Sequence, residues 1–343
     1  MKALVLRAPN TPFELVNMPD PVPGPGEAVA RVLACGSGLT IQHVKAGRTK
    51  AKFPRIIGHE ITGEIVAIGA GVQGLAIGDA VTAYFYLDCG HCRWCLDKLE
   101  PLCENLGGNV GRECDGGYAE YIKLPARNYI RLPEALDHKA HPAEIGVITD
   151  ALATPLKVLR RAEVKPGETV AVFGAGGGLG IHQLMLAKWA HALVIAVDTA
   201  SAKFDACRKA GADEVVDAST GNVVEQLMDL TWGRGVDVAI DYVSAQVTLE
   251  AACRSLGRRG RMVTLGGSGQ NFPVSAEQLL KYEQSVLGSR YVTRSEVIEA
   301  LDLVARREVW PLVTDICPLE DAEALHARVE RGEVIGRAAV MIR

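Results

Sequence analysis

Four cysteines in the segment DCGHCRWCLDKLEPLC, namely Cys89, Cys92, Cys95 and Cys103, stand with two, two and seven residues between neighbours. Thiolates at such spacings wrap one Zn²⁺ tetrahedrally and leave no open position, which makes a structural site. An iron–sulfur cluster uses a similar opening, but with a gap of three before a fourth cysteine followed by proline. Here the last gap is seven and Glu104 follows. A second constellation lies in TVAVFGAGGGLGIHQLMLAKWAHALVIAVD. Gly174, Gly177 and Gly180 fall where a strand turns into a helix, with Gly178 and Leu179 between the last two. Glycine there permits a tight turn, lets backbone N–H groups approach a pyrophosphate, and lets the helix pack closely on the sheet. The helix expected from about Gly178 turns its unpaired N–H groups and positive dipole end toward the phosphates. Asp198 closes the next strand, where a carboxylate accepts from a ribose 2′-hydroxyl and repels a 2′-phosphate; TASA after it holds no arginine. The pattern predicts NAD rather than NADP. Lys203 is a further candidate for the adenosine ribose, with a solvated helix lysine as the alternative.

The elements that must position these groups fall into two rhythms. Through residue 130 the chain reads as β-rich: short apolar runs at Ala3–Leu6, Ala28–Leu33, Ile61–Ile68 and Ala80–Tyr84 are separated by Pro/Gly-rich turns such as PDPVPGPGE. From about Val164 strands alternate with helices. Strands are expected at Thr169–Phe173, Leu193–Val197, Val236–Ile240 and Arg261–Leu265, with helices around Ser201–Ala210, Val223–Leu230 and Gln246–Leu256. That alternation predicts an α/β protein with a doubly wound parallel sheet. After Gly288 the pattern becomes mixed and ends in a strand-like Ala338–Ile342.

The chain has 343 residues, 48% apolar and 23% charged, enough for two cores. Thirty-seven Lys+Arg against 41 Asp+Glu is too balanced for a nucleic-acid or anionic-membrane binder. No apolar run reaches the length of a membrane span, and Arg7 interrupts what would be a signal peptide. With four of nine cysteines clustered, the expectation is a reducing, cytoplasmic setting.

These two motifs, together with FPRIIGHEITGEIVAIG at 53–69, DGGYAEY at 115–121 and VIGRAAV near the C-terminus, resemble the zinc-containing alcohol dehydrogenases of the medium-chain dehydrogenase/reductase superfamily. The resemblance covers essentially the whole chain. It implies a GroES-like β-rich catalytic domain from 1–150 and 289–343, carrying the zinc lobe 88–104, and a Rossmann cofactor domain from 151–288. The active site would lie in the cleft between them. It also implies an NAD(H)-dependent oxidoreductase with one structural zinc, working on a small-molecule substrate as a homodimer or homotetramer, with no nucleic-acid or membrane partner.

The same resemblance implies a catalytic zinc held by a cysteine, the GHE histidine and a third ligand, which match Gly38, His59 and Asp150, with Glu60 beside the histidine. Registered on Thr40 and His43, Gly38 stands where the metal thiolate belongs, and Ile41 replaces the aspartate that supports it. Three protein ligands plus one open position make a catalytic zinc. His59, Glu60 and Asp150 are therefore a remnant ligand set, and the catalytic metal is expected to be absent or weakly held. Cys35 and Cys114 are the thiols considered as substitutes. Thr40 and His43 match the family's proton-relay positions, His59 becomes a candidate acid once released from metal, and Tyr118 falls in a segment that lines the cleft. Arg337 matches an arginine that contacts cofactor phosphates. His182 reads as a packed helix residue, and His138, His141, His191 and His326 show no constellation. The expected reaction is hydride transfer between nicotinamide and a small alcohol/carbonyl pair. A zinc-free reductase of a conjugated C=C is the rival, and an NAD-binding protein without turnover is the alternative outside enzymes.

Overall fold

Apolar runs punctuated by glycine and proline become the strands of a computed structural model that describes residues 1–266 and 269–342. The first part of the chain holds β1 (Lys2–Leu6), β2 (Phe13–Asn17), β3 (Glu27–Ser37), β4 (Arg55–Ile56), β5 (Glu60–Ile68), β6 (Ala80–Ala83), β7 (Tyr121–Pro125) and β8 (Tyr129–Arg131). The middle holds β9 (Thr169–Phe173), β10 (Leu193–Asp198), β11 (Glu214–Asp217), β12 (Val236–Asp241), β13 (Leu256–Thr264) and β14 (Ser285–Gly288). Strands β15 (Val313–Pro318) and β16 (Arg337–Met341) close the chain. Two compact units result: Met1–Ala153 with Val292–Arg343, and Thr154–Tyr291.

In the second unit six parallel strands run in the order β11-β10-β9-β12-β13-β14. This is the doubly wound α/β order, which reverses direction beside the first strand and opens a ligand crevice at the carboxyl ends there. The strand β9, TVAVF, is central, and Val170, Ala171 and Val172 are fully buried. A strand covered on both faces needs such an unbroken apolar run.

In the first unit the strand order is β15-β16-β3-β5-β6-β8, with β7 also paired to β3, and a smaller sheet runs β2-β1-β4. The long strand β3 organises the site. On one side its end pairs with β5, Gly36 opposite Glu60; on the other it pairs with β16, Ser37 opposite Ala338. The register therefore brings residues 36–38, 60 and 337 together, although some 300 positions separate them in sequence. Asp150 joins from a single π-helical turn, Ile148–Leu152, between the helices Pro142–Val147 and Ala153–Arg161. Such widened turns re-aim side chains and are frequent at functional sites.

Candidate active site

The zinc lobe is built as the cysteine spacing requires. Cys92 caps the short helix Arg93–Leu96, which carries Cys95, while Cys89 and Cys103 come from the flanking loops. Sulfur–sulfur distances are 3.9 Å for Cys89–Cys95, 3.5 Å for Cys92–Cys95 and 3.9 Å for Cys92–Cys103. A tetrahedral ion with Zn–S near 2.3 Å has edges of about 3.8 Å, so the four sulfurs fit zinc. The Cys92 amide donates to Cys89 Sγ at 3.3 Å, and the Cys89 amide to Cys103 Sγ at 3.3 Å, as thiolate acceptors need. Backbone N–H groups of His91 and Cys92 pull the Cys89 thiol down to about 6.

The nucleotide loop follows β9. Gly174 adopts φ of 73°, a left-handed conformation that favours glycine. A Cβ on Gly180 would overlap the Gly174 carbonyl and lie 2.7 Å from Ala175 Cα, so the helix start presses on the loop. That helix is Gly180–Trp189, two residues later than the sequence suggests, and no side chain caps its N-terminus. Asp198 ties the loop to the end of β10: its Oδ2 accepts from the Gly176 amide at 2.8 Å and its Oδ1 from the Ala200 amide at 3.0 Å. Each oxygen keeps acceptor capacity for a ribose hydroxyl. The stem of half-buried Lys203 packs over Gly176, where a Cβ would meet Lys203 Cβ at 2.6 Å. A bare backbone cradle with a carboxylate at the end of the next strand fits NAD. His182 is fully buried and donates from Nδ1 to the Gly178 carbonyl at 2.7 Å, a packed helix residue.

The third site is a cluster of buried charge. His59, Glu60, Asp150 and Arg337 are all at most 4% exposed. Arg337 Nε donates to Glu60 Oε2 at 2.9 Å and its Nη2 to Asp150 Oδ2 at 3.2 Å. The same Asp150 oxygen lies 3.3 Å from His59 Nε2. Glu60 Oε1 accepts from the Ala151 amide at 3.0 Å. Phe85 packs on the imidazole with ring centroids 4.7 Å apart. Burial raises the Glu60 carboxyl above its ordinary range, opposed by the Arg337 charge and reinforced by Asp150. Two carboxylates against one guanidinium leave one negative charge uncompensated in a dehydrated site, and one proton held by the cluster balances it.

Two family models match the chain: an alcohol dehydrogenase GroES-like domain over residues 24–134 and a zinc-binding dehydrogenase domain over 178–306. An alcohol dehydrogenase of Geobacillus stearothermophilus is 34% identical over 346 residues, taking in 100% of this chain and 99% of the relative. A protein of Sulfolobus acidocaldarius described as an NAD-dependent alcohol dehydrogenase is 31% identical over 100% of both chains. The crystal structure of the alcohol dehydrogenase from Aeropyrum pernix superposes with a TM-score of 0.91 at 33% identity, covering 99% of this chain and 100% of the other. This chain belongs to the zinc-type alcohol dehydrogenase family.

Against that family's pattern, the third site holds a surprise. Arg337, which matches a phosphate-contacting arginine of the family, donates to Glu60 and Asp150 inside the first unit. A Cβ on Gly38 would overlap Arg337 Nη1 and Cζ, so the guanidinium fills the volume of the missing side chain. Neither substitute thiol converges with His59 and Asp150 into a ligand group. Cys35 is locked in β3 opposite Ile61 and Val340, and its Sγ packs on Gly58 and Gly117; burial holds its thiol well above the ordinary range. The Cys114 Sγ turns to the Asn109 carbonyl at 3.7 Å, and burial raises it to about 11. Among the described residues, only the four lobe cysteines form a group of three or more His, Cys, Asp or Glu with converging ligand atoms. The donors at the third site do not fit a catalytic zinc.

Thr40 and His43 lie three residues apart on one face of the helix Leu39–Lys45, both half-buried, with Gly38 as its N-cap. Burial, aided by Arg48, lowers the His43 imidazole below its ordinary range. Ile41 faces the core at 2% exposure and offers no polar support. Tyr118 is a structural group: fully buried, it lies 2.9 Å from His326 Nε2. His326 does have a constellation, with Gln42 Oε1 2.7 Å from its Nδ1 and Ser37 Oγ 3.3 Å from its Nε2. Burial takes its imidazole down to about 3. The sequence carries no local signal for this network or for the Arg337 clamp, because both join residues brought together only by the sheet.

Proposed function

We propose that this member of the alcohol dehydrogenase family, an NAD(H)-dependent oxidoreductase, converts a small alcohol/carbonyl pair at a centre that works without a catalytic zinc. NAD(H), when bound, supplies or accepts the hydride. The observation that carries the reading is the buried His59–Asp150 pair clamped by Arg337. In carbonyl reduction the proton shared between His59 Nε2 and Asp150 Oδ2 passes to the oxygen that gains charge; in alcohol oxidation it returns to the pair. Asp150 holds the ring from Oδ2, and Arg337 Nη2 in turn holds that oxygen. Thr40 and His43 exchange the proton with solvent. Phe85 covers the imidazole and keeps its surroundings dry.

Gly174, Gly177, Gly178, Leu179 and Gly180 hold the pyrophosphate with backbone N–H groups, Asp198 selects the unphosphorylated ribose, and Lys203 flanks the loop. Cys89, Cys92, Cys95 and Cys103 hold structural zinc. A reducing cytoplasm suits the nine free thiols. Assembly as a homodimer or homotetramer rests on family analogy alone. Among the described residues no helix is long and apolar enough to cross a membrane.

A second reading is favoured by one feature: the cluster offers an N–H proton donor in place of a Lewis acid. A conjugated C=C, whose charge develops away from the hydride acceptor, tolerates that exchange best. The test is NADH oxidation against aldehydes, simple ketones and enones, with and without a mild chelator. Turnover of aldehydes or ketones that the chelator leaves unchanged supports the main reading, and enone turnover alone supports the second. NADH binding with no turnover across the panel defeats both.

A further inference from the structure

We infer that Arg337 is a positioning residue that replaces the metal: its guanidinium is the resident cation of this centre, and it shuts the site to zinc even when a thiolate is restored. The inference rests on the zinc-free reading above. It starts from space. Gly38 carries no side chain, and a Cβ there would overlap Arg337 Nη1 and Cζ and lie 2.8 Å from Nη2. The guanidinium therefore stands on the side of the cluster from which a cysteine would reach the metal.

Charge points the same way. A zinc ion at this position would balance Glu60 and Asp150 and meet the His59 imidazole. Arg337 already does the first through two separate donors, Nε to Glu60 and Nη2 to Asp150. Arginine suits the task because its planar fork addresses two carboxylates at once, keeps its charge at any working pH, and tolerates burial better than an ammonium. The site is also shaped around the ion pair: a Cβ on Gly36 would overlap Glu60 Oε2 and come 2.7 Å from Val147 Cγ1, so Gly36 makes room for the carboxylate.

Register fixes the arrangement. Arg337 begins β16, whose next residue pairs antiparallel with Ser37, so continuing the register sets Arg337 opposite Gly38. Unless another cation takes its place, an arginine there cannot leave the cluster without stranding two buried carboxylates, which costs far more than an exposed ion pair. A metal competing for the position must displace it. Restoring the thiolate alone does not remove the competitor.

The test compares the native chain, Gly38→Cys and the double variant Gly38→Cys/Arg337→Ala, each incubated with excess zinc, desalted and analysed for metal. The expected counts are about one, one and two zinc ions per chain, the constant one being the cysteine lobe. Zinc should also raise the melting temperature of the double variant and leave that of Gly38→Cys unchanged. A second stoichiometric zinc on Gly38→Cys alone overturns the inference, as does a folded double variant that takes only one. Should the double variant not fold, the Gly38→Cys count still decides. For the positioning role, Arg337→Gln should lower kcat about 10- to 100-fold with little change in KM, and Arg337→Lys should recover part of the loss. Equal effects of Gln and Lys, or a loss confined to KM, contradict it. Aldehyde turnover by the native chain tests the underlying reading separately from these variant counts.

Discussion

Arg337 lays its guanidinium against Gly38, in the volume that a Cβ at position 38 would take. A cation and a missing side chain thus explain each other: the thiolate is gone where the arginine needs space. The same arginine bridges Glu60 and Asp150, and Asp150 in turn lies 3.3 Å from His59 Nε2.

Replacing Arg337 by Leu should expose how much the cluster depends on it. Removing one partner of a buried pair leaves uncompensated charge and costs about 3–5 kcal/mol of stability. The pH dependence has a definite sign. Burial already holds the Glu60 carboxyl above its ordinary range, and loss of the guanidinium raises it further. An acid with a raised folded-state pKa binds more protons folded than unfolded, so stability falls as pH rises above the ordinary carboxylate range. Denaturant unfolding at pH 5 and pH 8 should show the larger deficit at pH 8. An equal deficit at both would mean that the carboxylates do not carry the cost.

Substituting His59 by Gln should lower kcat by about 10²- to 10⁴-fold, the usual worth of a positioned acid or base. NADH binding should stay near the native value, because His59 is remote in the chain from the glycine loop. Steady-state kinetics with a fluorescence titration of NADH checks both. A kcat within a few-fold of native would remove His59 from proton transfer.

Much of the fold was legible in local sequence, and the reason is physical. Thr169–Phe173 is an unbroken apolar run because β9 is covered on both faces, and the lobe cysteines show their purpose by spacing alone. The strands that went unread are edge or half-exposed ones. β2, FELVN, has no fully buried residue and β11, EVVD, has only Val216, so neither shows the apolar run that marks a strand. β14, SVLG, is too short and too exposed to declare itself. The arginine was visible as a residue but not as a partner. Its meaning depends on β16 lying beside β3 and β3 beside β5, a relation between positions 337, 38 and 60 that no window of sequence contains. His326 was unreadable for the same cause, since its partners Gln42, Ser37 and Tyr118 lie far upstream.

Asp198→Ala should weaken NAD more than NADP. Hydrogen bonds to a charged group are worth about 1.5–3 kcal/mol, so NAD affinity should drop roughly 10- to 100-fold. Part of that loss comes from freeing the Gly176 amide, which affects both cofactors alike. The ratio of the two dissociation constants isolates the ribose contribution, and an unchanged ratio would exclude it.

Loss of the lobe zinc should reach the active site indirectly. Asp88, beside Cys89, pairs with Arg294 at 3.6 Å, and Arg294 stacks on Tyr84 at 4.5 Å. Arg294 opens the helix Arg294–Ala305, which packs on the turn that carries Asp150. Cys92→Ser should release the zinc, lower the melting temperature and reduce kcat together, because metal binding and local folding are one equilibrium. Zinc loss with native kcat would show that the lobe is independent of the centre.

The central claim is tested most directly by elemental analysis of the native chain after incubation with excess zinc and desalting. A centre whose cation is Arg337 predicts about one zinc per chain, removed only together with the fold of the cysteine lobe. Two zinc ions per chain, the second lost to a mild chelator along with activity, would contradict it.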